Sequence, residues 1–139
     1  PGIYGPGRSA LDRTRGEDAR RIIKPGQVFS RIHVEDIASG LMAIIARSAG
    51  AGVFNLCDDE AAPPQDVIAY AAHLQGIEPP PEVAFESADL SAMARSFYSE
   101  CKRVSNARTK AQLHWRPTYP TYREGLKAIY EGMEGKGED

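Results

Sequence analysis

Apolar residues recur along the chain at two spacings, and those spacings divide it into strands and helices. Ile3 and Tyr4 read as a strand running into a sharp turn at Gly5-Pro6-Gly7. Ser9 is placed to cap a helix to about Arg15, with Asp12 in its first turn favoured by the positive helix end. Pro25-Gly26 reads as a turn. Residues 28–34 then alternate as a strand does, with Val28, Ser30, Ile32 and Val34 on one face and Phe29, Arg31 and His33 on the other. Glu35 and Asp36 open a helix whose Ile37, Leu41, Ile44 and Ile45 fall on one stripe, ending near Gly50-Ala51-Gly52. Val53 to Cys57 is a short, largely apolar run suited to a buried strand.

After Pro63-Pro64 the spacing predicts a second amphipathic helix, with Val67, Ile68, Ala71 and Leu74 inward and Gly76 at its end. Pro79-Pro80-Pro81 is a stiff connector, and Val83 to Phe85 has strand character. Leu90, Met93 and Phe97 share a helical spacing, Lys102 to Val104 reads as extended, and Ser105 is placed to cap a short helix to about Leu113. Thr121 to Glu124 spells a capping box, T-x-x-E. It starts a helix with Tyr122, Leu126, Ile129, Tyr130 and Met133 on one face. Strand and helix alternate, so the class is α/β. One unit over residues 1–133 is expected, followed by a Gly-rich, charged and disordered tail over 134–139.

Composition narrows the classes of function. With 42% hydrophobic and 26% charged residues among 139, the chain can bury a core. A formal net charge of -2 argues against a nucleic-acid partner, which needs a strongly basic face. No apolar run approaches the roughly 18 residues of a membrane span, and no secretory signal is visible. The two cysteines cannot form a disulfide framework for a chain this size, and Cys57 lies in an apolar run. A buried thiol and a cytoplasmic location follow as expectations. The chain opens on a strand end at Pro1 without Met, which suggests that it is a piece of a longer protein.

Three segments, in this order, resemble the NAD-dependent epimerase/dehydratase family, the extended short-chain dehydrogenases/reductases. Gly2-Ile3-Tyr4-Gly5-Pro6-Gly7 is similar to the family's N-V-Y-G-P-G. Arg31 to Ala38 is similar to its I-H-V-x-D-x-A junction, followed by Val53-Phe54-Asn55-Leu56 for x-Y-N-L. Ala107 to Pro117 with Tyr122 to Leu126 is similar to the C-terminal K-A-x-x-x-L-G-W-x-P and G-L. The resemblance spans nearly the whole chain. It implies the C-terminal portion of a Rossmann-type fold with its substrate-binding lobe. It also implies NAD or NADP as cofactor of the full-length protein, a small-molecule substrate and hydride exchange at an alcohol or carbonyl carbon. The family's Gly-rich turn and catalytic Tyr-x-x-x-Lys pair precede the Tyr-Gly-Pro-Gly strand. They are therefore expected in a preceding half of the protein, which would be this chain's partner, and a homo-oligomer stays open. The alternative is a non-catalytic α/β module, or an atypical member that senses dinucleotide.

Several residues are candidates for contact with substrate or cofactor. On the resemblance, Tyr4 is placed at the substrate pocket, and Pro1 and Gly2 at the cofactor. Arg8 follows the turn, where an arginine can grip an anion or lie solvated. The family's phosphate-binding arginine matches Phe29, and Arg31, two residues on, keeps the same strand face. Arg31 can reach that pocket or pair with an acid, while His33 can line it or cap the following helix. Lys102 and Arg103, beside Phe97 and Tyr98, are candidates for a substrate lid. Three departures argue against a sugar-nucleotide substrate: Phe29, Gly2 in place of the family's asparagine, and Leu113-His114-Trp115 in place of Leu-Gly-Trp. Tyr98-Ser99-Glu100-Cys101-Lys102 is formally Tyr-x-x-x-Lys, but it lies on the wrong side of Tyr4 and at a helix end, so no catalytic residue is assigned. Gly2, Gly5 and Gly7 do not spell the dinucleotide fingerprint. Asp58-Asp59-Glu60 reads as a solvated acidic loop rather than a metal site, and no histidine has metal-ligand spacing.

Overall fold

A computed structural model describes residues 1–47 and 52–135. Its strands are β1 (Gly2–Tyr4), β2 (Arg21–Ile23), β3 (Arg31–His33) and β4 (Glu82–Ala84). Its helices are α1 (Val34–Ala46), α2 (Pro64–Leu74), α3 (Ala92–Phe97), α4 (Ala107–Leu113) and α5 (Tyr122–Glu134). The strands form two separate parallel pairs. β1 lies beside β3 with Gly2 opposite Arg31 and Tyr4 opposite His33. β2 lies beside β4 with Arg21 opposite Glu82.

One core cluster joins Tyr4 of β1, Leu11, Val67 and Ala71 of α2, and Tyr122, Leu126 and Ile129 of α5. A second joins Ile32 to Leu113 and Trp115, with Ile37 and Ile44 of α1 packed on it. The capping box at Thr121 is present, Glu124 accepting from the Thr121 amide at 2.9 Å. The turn after Gly5-Pro6-Gly7 is a single 3₁₀ turn, Ala10–Arg13, capped by Ser9 and shorter than the helix the sequence suggests. Gly76 ends α2 at φ +64°, a left-handed conformation that favours glycine. No helix among the described residues is long and apolar enough to cross a membrane.

Several expectations are corrected. The strand over 28–34 is ladder-bonded only at Arg31–His33, and Phe29 makes an isolated antiparallel bridge to Ala62. Val53 to Cys57 forms no strand. Its carbonyls are taken by side chains instead: Thr109 Oγ1 donates to Asn55 O at 2.7 Å and Asn106 Nδ2 to Cys57 O at 2.8 Å. Asn106 holds the N-cap position of α4 without a side-chain capping bond, Ser105 Oγ accepts from the Ala107 amide at 3.3 Å, and Lys102 to Val104 joins no ladder. The segment between Arg15 and Pro25, for which no element is predicted, contains β2. The stripe of α1 is buried only along one side, since Leu41 and Ile45 are 51% and 71% exposed. Residues 50 and 51, where that helix is expected to stop, lie outside the described residues. The last helix runs to Glu134, one residue into the stretch expected as tail, and 136–139 lie outside the described residues.

Candidate substrate cleft

The motifs on which the resemblance rests meet in space, and what they do there is hold the scaffold. Tyr4 packs edge-on against His33 with ring centroids 5.2 Å apart. Its hydroxyl presses on Gly125 of α5, where an added Cβ would lie 2.0 Å from Tyr4 Oη. Asp36, in the first turn of α1, is fully buried and accepts from the amides of Thr118 at 2.6 Å and Tyr119 at 3.0 Å. Trp115 Nε1 donates to Ser39 Oγ at 2.9 Å. Together these contacts tie the strand ends to the loop that carries Trp115 and Pro117.

His33 belongs to that scaffold. It is 2% exposed, and its Nδ1 accepts from the Glu35 amide at 3.2 Å, capping α1. Burial holds its pKa below the ordinary value, so the neutral ring that can accept this bond is favoured. It lines neither cavity and faces Tyr4 and Tyr119 instead.

Two cavities meet at β1 and β3. The smaller, about 250 Å³, is lined by Tyr4, Arg8, Arg13, Arg31, Val67 and Tyr122, among others. The larger is an open cleft of about 1040 Å³ between β3, the β2 lobe and α3. Its walls carry Ile22, Phe29, Met93, Phe97 and Tyr98 beside Arg13, Arg15, Arg20, Arg31 and Lys102. Pro1 and Gly2 lie at its edge. Phe29 stacks edge-on with Tyr98, centroids 5.4 Å apart. Met93 and Phe97, which share a helical spacing, are 73% and 64% exposed and line this opening.

Arg31 stands where the two cavities join. Its Nη1 donates to the carbonyls of Phe29 at 2.9 Å and Ala62 at 3.0 Å, which fixes the guanidinium without neutralising it. Among the described residues no carboxylate forms an ion pair with it, and its Nε and Nη2 make no hydrogen bond to them. Burial lowers its pKa, with the charge of Asp58 acting in the opposite direction. A desolvated cation whose fork stays available toward a cavity is a receptor for an oxyanion.

The other candidates separate. Arg8 is exposed and lines the smaller cavity, and Lys102 lines the cleft but pairs with Glu100. Arg103 lines neither. Tyr98 and Lys102 do not share a helix face, because α3 ends at Phe97 and Lys102 lies in an irregular segment. The acidic loop is corrected: Asp58 is 4% exposed, while Asp59 pairs with Lys110 at 2.6 Å and Glu60 with Arg123 at 2.8 Å. Burial pushes the Asp58 carboxyl up to about 7, against the pull of its bond from the Glu60 amide and of Arg31. Asp58 Oδ2 and Tyr4 Oη are both buried without a partner among the described residues. No group of metal-ligating side chains occurs among the described residues. Sequence reasoning missed Arg13, which it did not single out, and Asp58, whose burial no local pattern signals.

These residues do not make a dinucleotide site. The turn after Gly7 leads to a 3₁₀ turn whose start is already closed by Asp12, which accepts from the Ser9 amide at 2.7 Å. A carboxylate there repels a pyrophosphate rather than receiving it.

The structure resembles a functionally unknown conserved protein from Silicibacter pomeroyi, with 60% identity and a TM-score of 0.88 over 96% of this chain and 46% of that one. It also resembles a dTDP-glucose 4,6-dehydratase from Bacillus anthracis in complex with NAD, with 17% identity and a TM-score of 0.71 over 99% of this chain and 43% of that one. The chain shares its fold with the C-terminal part of epimerase and dehydratase structures. Other structures of this fold were solved with NADPH or NAD bound. In sequence, the chain is 29% identical over 135 residues to a 3-diazoavenalumate denitrifying reductase of Streptomyces sp., across 89% of this chain and 43% of that one. No family model matches. The chain thus spans a little under half the length of the proteins it resembles.

Proposed function

We propose that this chain is the substrate-binding part of an NAD(P)-dependent oxidoreductase, epimerase or dehydratase that acts on a small organic anion. The dinucleotide site and the acid/base pair then belong to the other half of the protein, and this chain supplies the walls of the substrate cleft. The observation that carries the reading is Arg31: fixed by two carbonyls, unpaired with any acid among the described residues, and placed at the junction of two cavities. Structures of this fold hold NAD or NADPH, and one sequence relative is a reductase, which supports the reaction class. Phe29 at the position of the family's phosphate-binding arginine supports a substrate other than a sugar nucleotide.

Arg31→Ala in the full-length protein tests this. Losing charged hydrogen bonds to substrate costs roughly 1.5–3 kcal/mol in kcat/KM, with cofactor affinity and melting temperature nearly unchanged. Steady-state kinetics and a thermal melt on the same variant decide it. An unchanged kcat/KM removes Arg31 as a ligand, and a large fall in melting temperature makes it structural.

A further inference from the structure

Arg31 does not face the cleft alone. Arg13, in the 3₁₀ turn, lines both cavities with it, and Tyr98 lines the larger one from the far side. Arg13, like Arg31, forms no ion pair with the described residues. The charge of Arg13 lowers the pKa of Arg31 further, after burial has done so. Burial raises the phenol of Tyr98, and Arg13 and Arg31 both pull it back, so the three groups feel one another across one opening. The acids on the same walls are largely engaged: Asp12 accepts from the Ser9 amide and Glu100 pairs with Lys102, which leaves Asp18. Arg13 and Arg31 are like charges that line one cleft and form no ion pair with the described residues, and they repel each other. That repulsion is relieved when an anion enters between them.

We propose that Arg13, Arg31 and the phenol of Tyr98 form one clamp for the oxyanion head of a small substrate whose apolar or aromatic body lies along Phe29 and Met93. The proposal rests on the reading of Arg31 given above and extends it to two further residues and to a substrate class, an arylalkyl or similarly apolar acid. Phe29 and Tyr98 meet edge-on, and with the exposed Met93 they make the cleft wall apolar beside its cations. A planar carbon skeleton suits such a wall. Carboxylate and phosphate share the recognition chemistry, since both accept a guanidinium fork.

The test is equilibrium binding to the full-length protein with its cofactor present. The probes are cinnamate, phenyl phosphate and the uncharged cinnamyl alcohol. Wild-type protein should bind at least one of the two acids more tightly than the alcohol, and the better acid reports which oxyanion fits. Arg13→Ala and Arg31→Ala should each weaken that acid about tenfold or more, Tyr98→Phe several-fold, and none should change the alcohol. Arg13→Lys should recover part of the loss, because the charge returns without the fork. Arg13 is exposed, so its variants should melt like the wild type. Loss at Arg31 with no change at Arg13 and Tyr98 overturns the clamp and leaves Arg31 a lone ligand. No loss at any of the three overturns both readings, and acids that bind no better than the alcohol overturn the substrate class.

Discussion

The two parallel strand pairs begin with an arginine each, and the two arginines are treated in opposite ways. Arg21 of β2 pairs with Glu82 across the ladder at 3.3 Å, and its Nε donates to Pro80 O at 2.8 Å. Around it the lobe closes its cations onto its own backbone: Arg20 on Asp89 O, Arg95 on Ala88 O and Lys24 on Tyr98 O. Arg31 of β3 also gives two bonds to carbonyls but meets no acid among the described residues, and beneath it Tyr4 Oη and Asp58 Oδ2 are buried without partners. The lobe is electrostatically self-sufficient, and the pair beneath the cleft is not. Structures carry unsatisfied polar groups at a cost, and two of them, Tyr4 Oη and Asp58 Oδ2, lie among the groups whose charges act on Arg31.

The sharpest way to break the contrast is at the floor of the β1–β3 pair. Gly125→Ala would put a Cβ 2.0 Å from Tyr4 Oη and 2.7 Å from Cζ. The strand end and α5 must then part, at a cost of about 3 kcal/mol. Chemical denaturation should show this loss, with part of it recovered in the double variant carrying Tyr4→Phe. A Gly125→Ala protein as stable as wild type would mean that the two elements slide freely.

Asp58 gives a pH-dependent effect of similar or smaller size. Its folded-state pKa of about 7 lies above the unfolded carboxyl value of about 4. Between those values the folded form keeps a proton that the unfolded form has lost. Its contribution to stability is therefore full below about pH 4, declines as pH rises to about 7, and changes no further above that. The decline should be on the order of 2–4 kcal/mol. Asp58→Asn should flatten it, so the difference between variant and wild type, followed by denaturation from pH 4 to 8, isolates the group. Parallel curves would show that Asp58 ionises as an ordinary carboxylate.

The smallest effect is expected in the lobe. Arg21→Ala removes a pair whose Glu82 side chain is 61% exposed, a class of interaction worth at most about 1 kcal/mol. It should shift the melting temperature slightly and leave kcat/KM unchanged. A substrate effect at Arg21 as large as that of Arg31 would erase the distinction between the two sheets.

Much of the fold was legible from local chemistry. The Ser9 and Thr121 caps, the turn at Gly76 and the stripe Tyr122, Leu126 and Ile129 need only neighbours within a few residues, and all are present. The strand β2 was not legible, because three residues paired with β4 across roughly sixty intervening positions carry too little pattern to stand out. Val53 to Cys57 misled for the reverse reason: its composition suits a strand, but whether a ladder forms depends on what takes its carbonyls, and Thr109 and Asn106 do.

The sequence by itself determined the α/β class, most of the helices and the resemblance of the scaffold, and it held Tyr4, His33, Asp36 and Gly125 in its motif segments. Only the tertiary structure decided which charges are spent and which are available. Arg13, Arg20 and Arg21 are alike in a one-dimensional reading, and Arg31 stood out by its strand face with pocket and acid both left open, because a guanidinium's state depends on the acids and carbonyls within a few ångströms of it. Folding brings Arg13 and Arg31 to the same cleft from residues eighteen apart. It sends Arg21 to Glu82 and buries Asp58 at the loop where solvent was expected. Short-range geometry across long sequence separations makes those choices, and no spacing along the chain encodes them.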